Sequence, residues 1–169
     1  MTGQAVAASK LDGREGFDFL IGSWDSRQRK LRKRLAGCTD WDEFSATLEV
    51  QKVLGGFGNI DELVMHTASG EARGLTVRLF DPATRVWRIY WAAAGQSGAL
   101  DTPMVGRFTD GIGMFYCHEV FNGEPVFTRF IWTHSGPDAC HWEQAFSTDG
   151  GQTWETNWTA DFTRRHATA

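Results

Sequence analysis

After Trp24, apolar and polar residues alternate with the two-residue period of strands that bury one face. Such segments run Trp24–Leu35, Phe44–Leu54, Ile60–Thr67, Leu75–Phe80, Val86–Ala92, Met104–Thr109, Met114–Phe121, Val126–Thr133, Cys140–Ser147 and Trp154–Arg164. The breaks carry turn residues: Gly55-Gly56, Ser69-Gly70, Asp81-Pro82, Asp110-Gly111, Asn122-Gly123, Gly136-Pro137 and Asp149-Gly150-Gly151. Gly and Asn accept positive φ and Pro presets φ, so these positions favour hairpins. A flat sheet of so many strands exposes two edges, and closure removes them. The pattern therefore predicts an all-β fold, a single antiparallel up-and-down β-barrel of about ten strands. Ahead of it, Phe17, Leu20 and Ile21 at helical spacing predict a short N-terminal helix within Glu15–Ile21. Residues 1–13 read as a mobile tail and residues 14–169 as the barrel domain. The long Gly- and Ala-rich connection Ala93–Pro103 is expected to cover a barrel mouth.

Composition agrees with this picture. Of 169 residues, 8 are Trp and 12 Phe, with 19 Gly against 4 Pro, a mix suited to strands and tight turns. The length fits one domain. No apolar run reaches membrane-spanning length, and the N-terminal residues lack the pattern of a signal peptide. Three scattered cysteines, Cys38, Cys117 and Cys140, do not make a disulfide framework, so a reducing cytoplasm is the expected location and no membrane partner is expected. The net charge of −4 is uneven: Arg27–Arg34 holds six basic residues, and the remainder is strongly acidic. An acidic chain is a poor general nucleic-acid binder, and the basic run reads first as a solvated strand.

Two resemblances rest on quoted residues. Ser147-x-Asp149-x-Gly151-x-Thr153-Trp154 resembles the Asp-box of sialidase-type propellers. That motif caps a hairpin there, and with one copy it implies a hairpin here, not sialidase activity. Phe17-Asp18-Phe19-Leu20-Ile21-Gly22-Ser23-Trp24 resembles the opening of calycin-type barrels, the lipocalin and fatty-acid-binding group. The resemblance implies that Trp24 plugs the closed end and stacks on a basic residue of the last strand, Arg164 or Arg165. Leu79-Phe80-Asp81-Pro82, Trp87-x-x-Tyr90-Trp91, Gly106-x-Phe108-x-Asp110-Gly111 and the run from Arg129 through Trp132 to Trp158 resemble a bacterial family of unknown function built on this barrel. Its relatives imply a ligand cavity by analogy of fold.

Alternation also nominates a site. One face of each of four strands carries Trp87, Ile89 and Trp91; Met114, Tyr116, His118 and Val120; Phe127, Arg129 and Ile131; and Trp142, Gln144 and Phe146. If these faces point inward, the ligand-binding residues are Trp91, His118, Arg129, Trp142, Gln144 and Asn157. Aromatic walls with a few polar groups suit a small apolar or aromatic ligand. Arg129 in an apolar strand needs an anion. That anion is either a ligand acid or an internal partner, Glu143 or Glu155, and a Trp face is a further alternative. His118 is a candidate acid or base, or a simply hydrogen-bonded strand residue. Glu143 and Glu155 are a second acid/base candidate pair, or surface groups.

No cofactor and no metal are expected. Cys117-His118 and Cys140-His141 are adjacent pairs whose members point to opposite faces. His166, near the chain end, is a weak haem-ligand candidate by similarity to nitrobindin-type barrels, whose opening motif is missing. No nucleophile elbow or phosphate loop is present. Three readings stay open: a binding barrel, an isomerase- or cyclase-type barrel enzyme, and a barrel packed solid with Trp and Phe. Aromatic residues left outside the barrel predict a homodimer.

Overall fold

The computed structural model describes residues 12–168. Ten strands follow in order: β1 (Gly22–Leu31), β2 (Trp41–Val53), β3 (Gly58–Thr67), β4 (Gly70–Asp81), β5 (Val86–Ala93), β6 (Met104–Thr109), β7 (Ile112–Phe121), β8 (Glu124–His134), β9 (Ala139–Ser147) and β10 (Glu155–Arg164). Each pairs antiparallel with its chain neighbours, and β10 returns to β1, with Trp24 opposite Arg164 and Lys30 opposite Trp158, to close the barrel. Every expected strand is present within a few residues of its expected bounds.

The expected N-terminal helix is absent among the described residues; its place is taken by one 3-10 turn, Asp18–Leu20. A segment this short cannot recover the cost of helix nucleation. Its three-residue period still directs Phe17 and Leu20 inward, where both are fully buried. The expected mobile tail lies mostly outside the described residues. Gly13 is held in place, its carbonyl accepting the Trp87 Nε1–H at 3.0 Å.

That turn plugs one end of the barrel. The Phe17 ring lies 4.9 Å from Phe108, 5.2 Å from Trp87 and 5.6 Å from Phe115. Trp24 is buried beside it and donates its Nε1–H to the Leu20 carbonyl at 2.8 Å. The Arg164 guanidinium covers the Trp24 ring at 4.2 Å and donates to the carbonyls of Ile21 at 2.6 Å and Phe19 at 2.7 Å. Of the two basic candidates it is therefore Arg164 that stacks on Trp24; Arg165 lies out by Asp25.

Three of the six basic residues in Arg27–Arg34 are paired with carboxylates along the outside. Arg27 and Arg29 meet Glu43, and Arg32 meets Asp42. Lys30 points inward, its Nζ 4.2 Å from the Trp158 ring, and burial together with the nearby Arg34 charge lowers its pKa.

The β9–β10 hairpin is tied by its own side chains. Ser147 Oγ accepts the Gly151 N–H at 2.8 Å, and Asp149 accepts from the Thr153 N–H at 2.9 Å and its hydroxyl at 2.6 Å. These bonds favour the ionised carboxylate and hold the Asp149 pKa down at about 2. A carboxyl depressed in the folded state stabilises above its unfolded pKa, and the contribution fades as pH falls through the folded value. Asp149→Asn should therefore flatten the acid limb of a melting-temperature profile between about pH 4 and pH 2. Superimposable profiles for the two proteins would show that these bonds contribute nothing in solution.

Candidate functional site

The aromatic plug leaves part of the barrel lumen open. Above it lies a cavity of about 150 Å³, reaching up to Asp101 and Thr102 in the Ala93–Pro103 connection. This is the connection expected to cover a mouth, and Asp101 N–H ties it to the Trp91 carbonyl at 2.8 Å. A cavity of this size accommodates an aromatic ring.

Its walls are aromatic. Trp91 on β5, Phe130 on β8, Trp142 on β9 and Trp158 on β10 all line it. Trp91 reaches its place because β4 carries glycine at position 74: a Cβ there would stand 1.8 Å from the indole ring. Polar groups interrupt the walls. Trp158 donates its Nε1–H to Gln28 Oε1 at 2.8 Å, and Gln28 donates to Ser26 Oγ at 2.8 Å. Gln144 donates to Asn157 Oδ1 at 2.9 Å. Asn157 sits where the β9–β10 register breaks, fully buried behind Gln144.

The deep end is charged. Arg78 on β4 and Asp61 on β3 form an ion pair with side chains 4% and 1% exposed. Arg78 Nη1 also donates to Asn59 Oδ1 at 2.9 Å. The guanidinium lies 5.3 Å from the Phe17 ring and 5.6 Å from the Trp132 ring. Burial pushes the Asp61 pKa up, and the Arg78 charge opposes this. The site is under-satisfied: Arg78 Nε, Asp61 Oδ1 and Trp132 Nε1 are buried without a hydrogen-bond partner within the protein. Each such atom costs about 1–3 kcal/mol unless something else meets it.

The expected ligand residues divide. Trp91, Trp142 and Gln144 line the cavity, and Asn157 backs it through Gln144. His118 and Arg129 do not reach the lumen, a correction to the expected phases of β7 and β8. On β7 the buried residues are Gly113, Phe115 and Cys117, so Met114, Tyr116, His118 and Val120 face out. On β8, Val126, Thr128 and Trp132 face in, and Phe127, Arg129 and Ile131 face out. His118 stacks on Phe127 at 4.5 Å. Arg129 lies 4.3 Å over the Trp154 ring and 3.9 Å from Glu143, so two of the three internal partners considered for it, Glu143 and a Trp face, meet it on the outer surface. Glu155 is not beside Glu143; it accepts the Leu35 N–H at 2.8 Å.

Sequence reasoning missed Arg78 and Asp61. The signal was of the kind that drew attention to Arg129: an Arg between Val77 and Leu79 in an apolar strand. The thiols of Cys117 and Cys140 are buried, which pushes both up to about 12 and leaves neither a nucleophile at neutral pH.

No model of a known protein family matches the chain, and no curated protein matches it in sequence. Solved structures do match in three dimensions. An S-type phycobiliprotein lyase, CPES from Guillardia theta, superposes with a TM-score of 0.62 at 13% identity, over 94% of this chain and 98% of that one. EF1p2_mFAP2b bound to DFHBI gives 0.49 at 10% identity, over 90% and 99%. What the lyase shares with this chain is the fold, a closed antiparallel barrel.

Proposed function

We propose that this protein binds a small aromatic or apolar molecule in the barrel lumen. One observation carries the reading: the barrel is packed at one end only, and the remaining cavity has aromatic walls and convergent polar groups. A barrel packed solid would have no such space. The fold also serves a phycobiliprotein lyase, which fits the reading without specifying a ligand. Arg129 gives no reason to expect an acidic ligand in the lumen, because it lies outside with Glu143 and Trp154.

The test is a tryptophan-fluorescence titration with small aromatic probes: naphthalene, indole, 2-quinolone and 2-naphthoate. Saturable quenching is expected in the unaltered protein and in Arg129→Ala. It should be lost in Ala160→Phe, which fills the cavity from β10. Flat titrations of the unaltered protein with every probe would refute lumen binding.

A second reading, a barrel enzyme of modest acid/base chemistry, is favoured by Asp61. It is among the residues lining the cavity, and burial raises its pKa, as it does for many catalytic carboxyls. We place the protein in the cytoplasm and within the bacterial barrel family, on the free cysteines and the quoted sequence blocks. Among the described residues no helix is long and apolar enough to cross a membrane.

For assembly we propose a homodimer through the outer face of β7 and β8. Ile112, Met114 and Val120 are exposed there beside the Phe127–His118 stack. Apolar surface of this kind usually marks an interface. Light scattering at tens of micromolar protein should give twice the chain mass, and Val120→Glu with Met114→Glu should halve it. A monomer in the unaltered protein would end this proposal.

A further inference from the structure

The walls of the open lumen suit a positive charge. Phe130, Trp142 and Trp158 line it in succession, with interplanar angles of 78° between the first two and 77° between the last two. Trp91 lines it from β5. Rings set near right angles bound a space from more than one side, and a ring face is the negative part of its quadrupole. The chain already rests one cation on this set, since Lys30 Nζ lies 4.2 Å from the Trp158 ring. Among the described residues no cation covers Trp91, Phe130 or Trp142.

The charged groups point the same way. Among the described residues Arg78 is the one basic residue lining the cavity, and Asp61 pairs with it. Two more carboxylates, Glu119 and Asp101, line it without an ion pair among the described residues. Glu119 belongs to the inner face of β7, two residues beyond buried Cys117, and accepts the hydroxyl of Thr128, which is buried on β8. Asp101 is tied beside Trp91 by its backbone N–H. The Cys117 thiol, pushed up first by burial, feels both of these charges, which places them at one side of the cavity. The chain's own cations at the mouth do not cancel them. Arg34 faces Glu155 as well as Glu119, and Lys30 lies over Trp158. Against Arg78, Lys30 and Arg34 stand Asp61, Asp101, Glu119 and Glu155. A neutral guest leaves that negative excess unmet, and an anion adds to it.

We propose that the cavity takes a flat organic cation, a quaternised or protonated N-heteroaromatic ring, held by the aromatic walls with its charge toward Glu119 and Asp101. The proposal rests on the lumen-binding reading above. Three probes of closely similar outline test it by calorimetry, with protein titrated into probe: 1-methylquinolinium, 1-methylnaphthalene and 1-naphthoate. The first two differ in shape hardly at all and in charge by one unit. In the unaltered protein 1-methylquinolinium should bind about tenfold more tightly than 1-methylnaphthalene, and 1-naphthoate should bind weakest. Glu119→Gln and Asp101→Asn each remove a charge at nearly constant shape. Each should lower the preference for the cation about threefold or more and leave the affinity for 1-methylnaphthalene unchanged. Equal or tighter binding of 1-methylnaphthalene or 1-naphthoate to the unaltered protein overturns the cation proposal and leaves lumen binding standing. A preference that both variants keep in full also overturns it. Binding of none of the three overturns both readings. If Glu119→Gln does not fold, Asp101→Asn decides, because that residue lies on the exposed connection outside the strands.

Discussion

Trp24→Ala should destabilise the barrel by about 3–5 kcal/mol, measured as the change in urea-unfolding free energy. The size follows from what one side chain joins. Trp24 fills the closed end beneath the 3-10 turn, anchors that turn through the Leu20 carbonyl, and supplies the surface on which Arg164 rests. Removing the indole leaves a cavity in a close-packed core, which can collapse only partly. It also frees Arg164, whose donations to Phe19 and Ile21 hold the turn against the last strand. A loss below about 1 kcal/mol would mean that the plug stays seated without Trp24.

Asp61→Ala should cost a similar amount, about 3–5 kcal/mol, because it strands the Arg78 charge in the interior. Arg78→Ala should be comparable, since it strands the carboxylate. The joint replacement Asp61→Leu with Arg78→Met should cost far less than the two single losses together, because it removes both desolvated charges at once. That contrast would show that the attraction within the pair does little more than offset its desolvation. Equal and additive losses would show that the two charges act independently. A neutral outcome for Asp61→Ala would mean that solvent already reaches Arg78.

The strand map could be read from the sequence because its punctuation is chemical. Asn122-Gly123 and Asp110-Gly111 take positive φ at both residues, which the hairpins around β7 require. Closure followed from the number of strands. Strand phase was legible only where the two faces differ. On β9, Trp142, Gln144 and Phe146 contrast with outward His141 and Glu143, and the phase was clear. On β7 and β8 both faces are aromatic: Phe115 and Trp132 are inside, while Tyr116 and Phe127 are outside under Trp154. A one-residue choice between two apolar faces has no sequence signal, and it sent His118 and Arg129 to the wrong side. Asp61 and Arg78 were hidden for the opposite reason. In β4 the polar residues Thr76 and Arg78 alternate with Leu75, Val77 and Leu79, which in a half-buried sheet reads as polar side out. Only the β3–β4 register, with Asn59 opposite Arg78 and Asp61 opposite Thr76, reveals that the charges neutralise each other indoors.

The seam between β1 and β10 sets the order in which this chain can mature. Nine of the ten strand pairings join neighbours in sequence, and each forms as soon as its hairpin exists. The tenth joins Trp24 to Arg164, so a nascent chain keeps the outer edge of β1 unpaired until β10 has been made. Throughout that interval the edge of β1 is open to pairing with other chains. The cations of β1 and of the turn after it, Arg27, Arg29, Arg32 and Lys33, then act as a guard against aggregation before becoming the ordinary surface of the finished barrel.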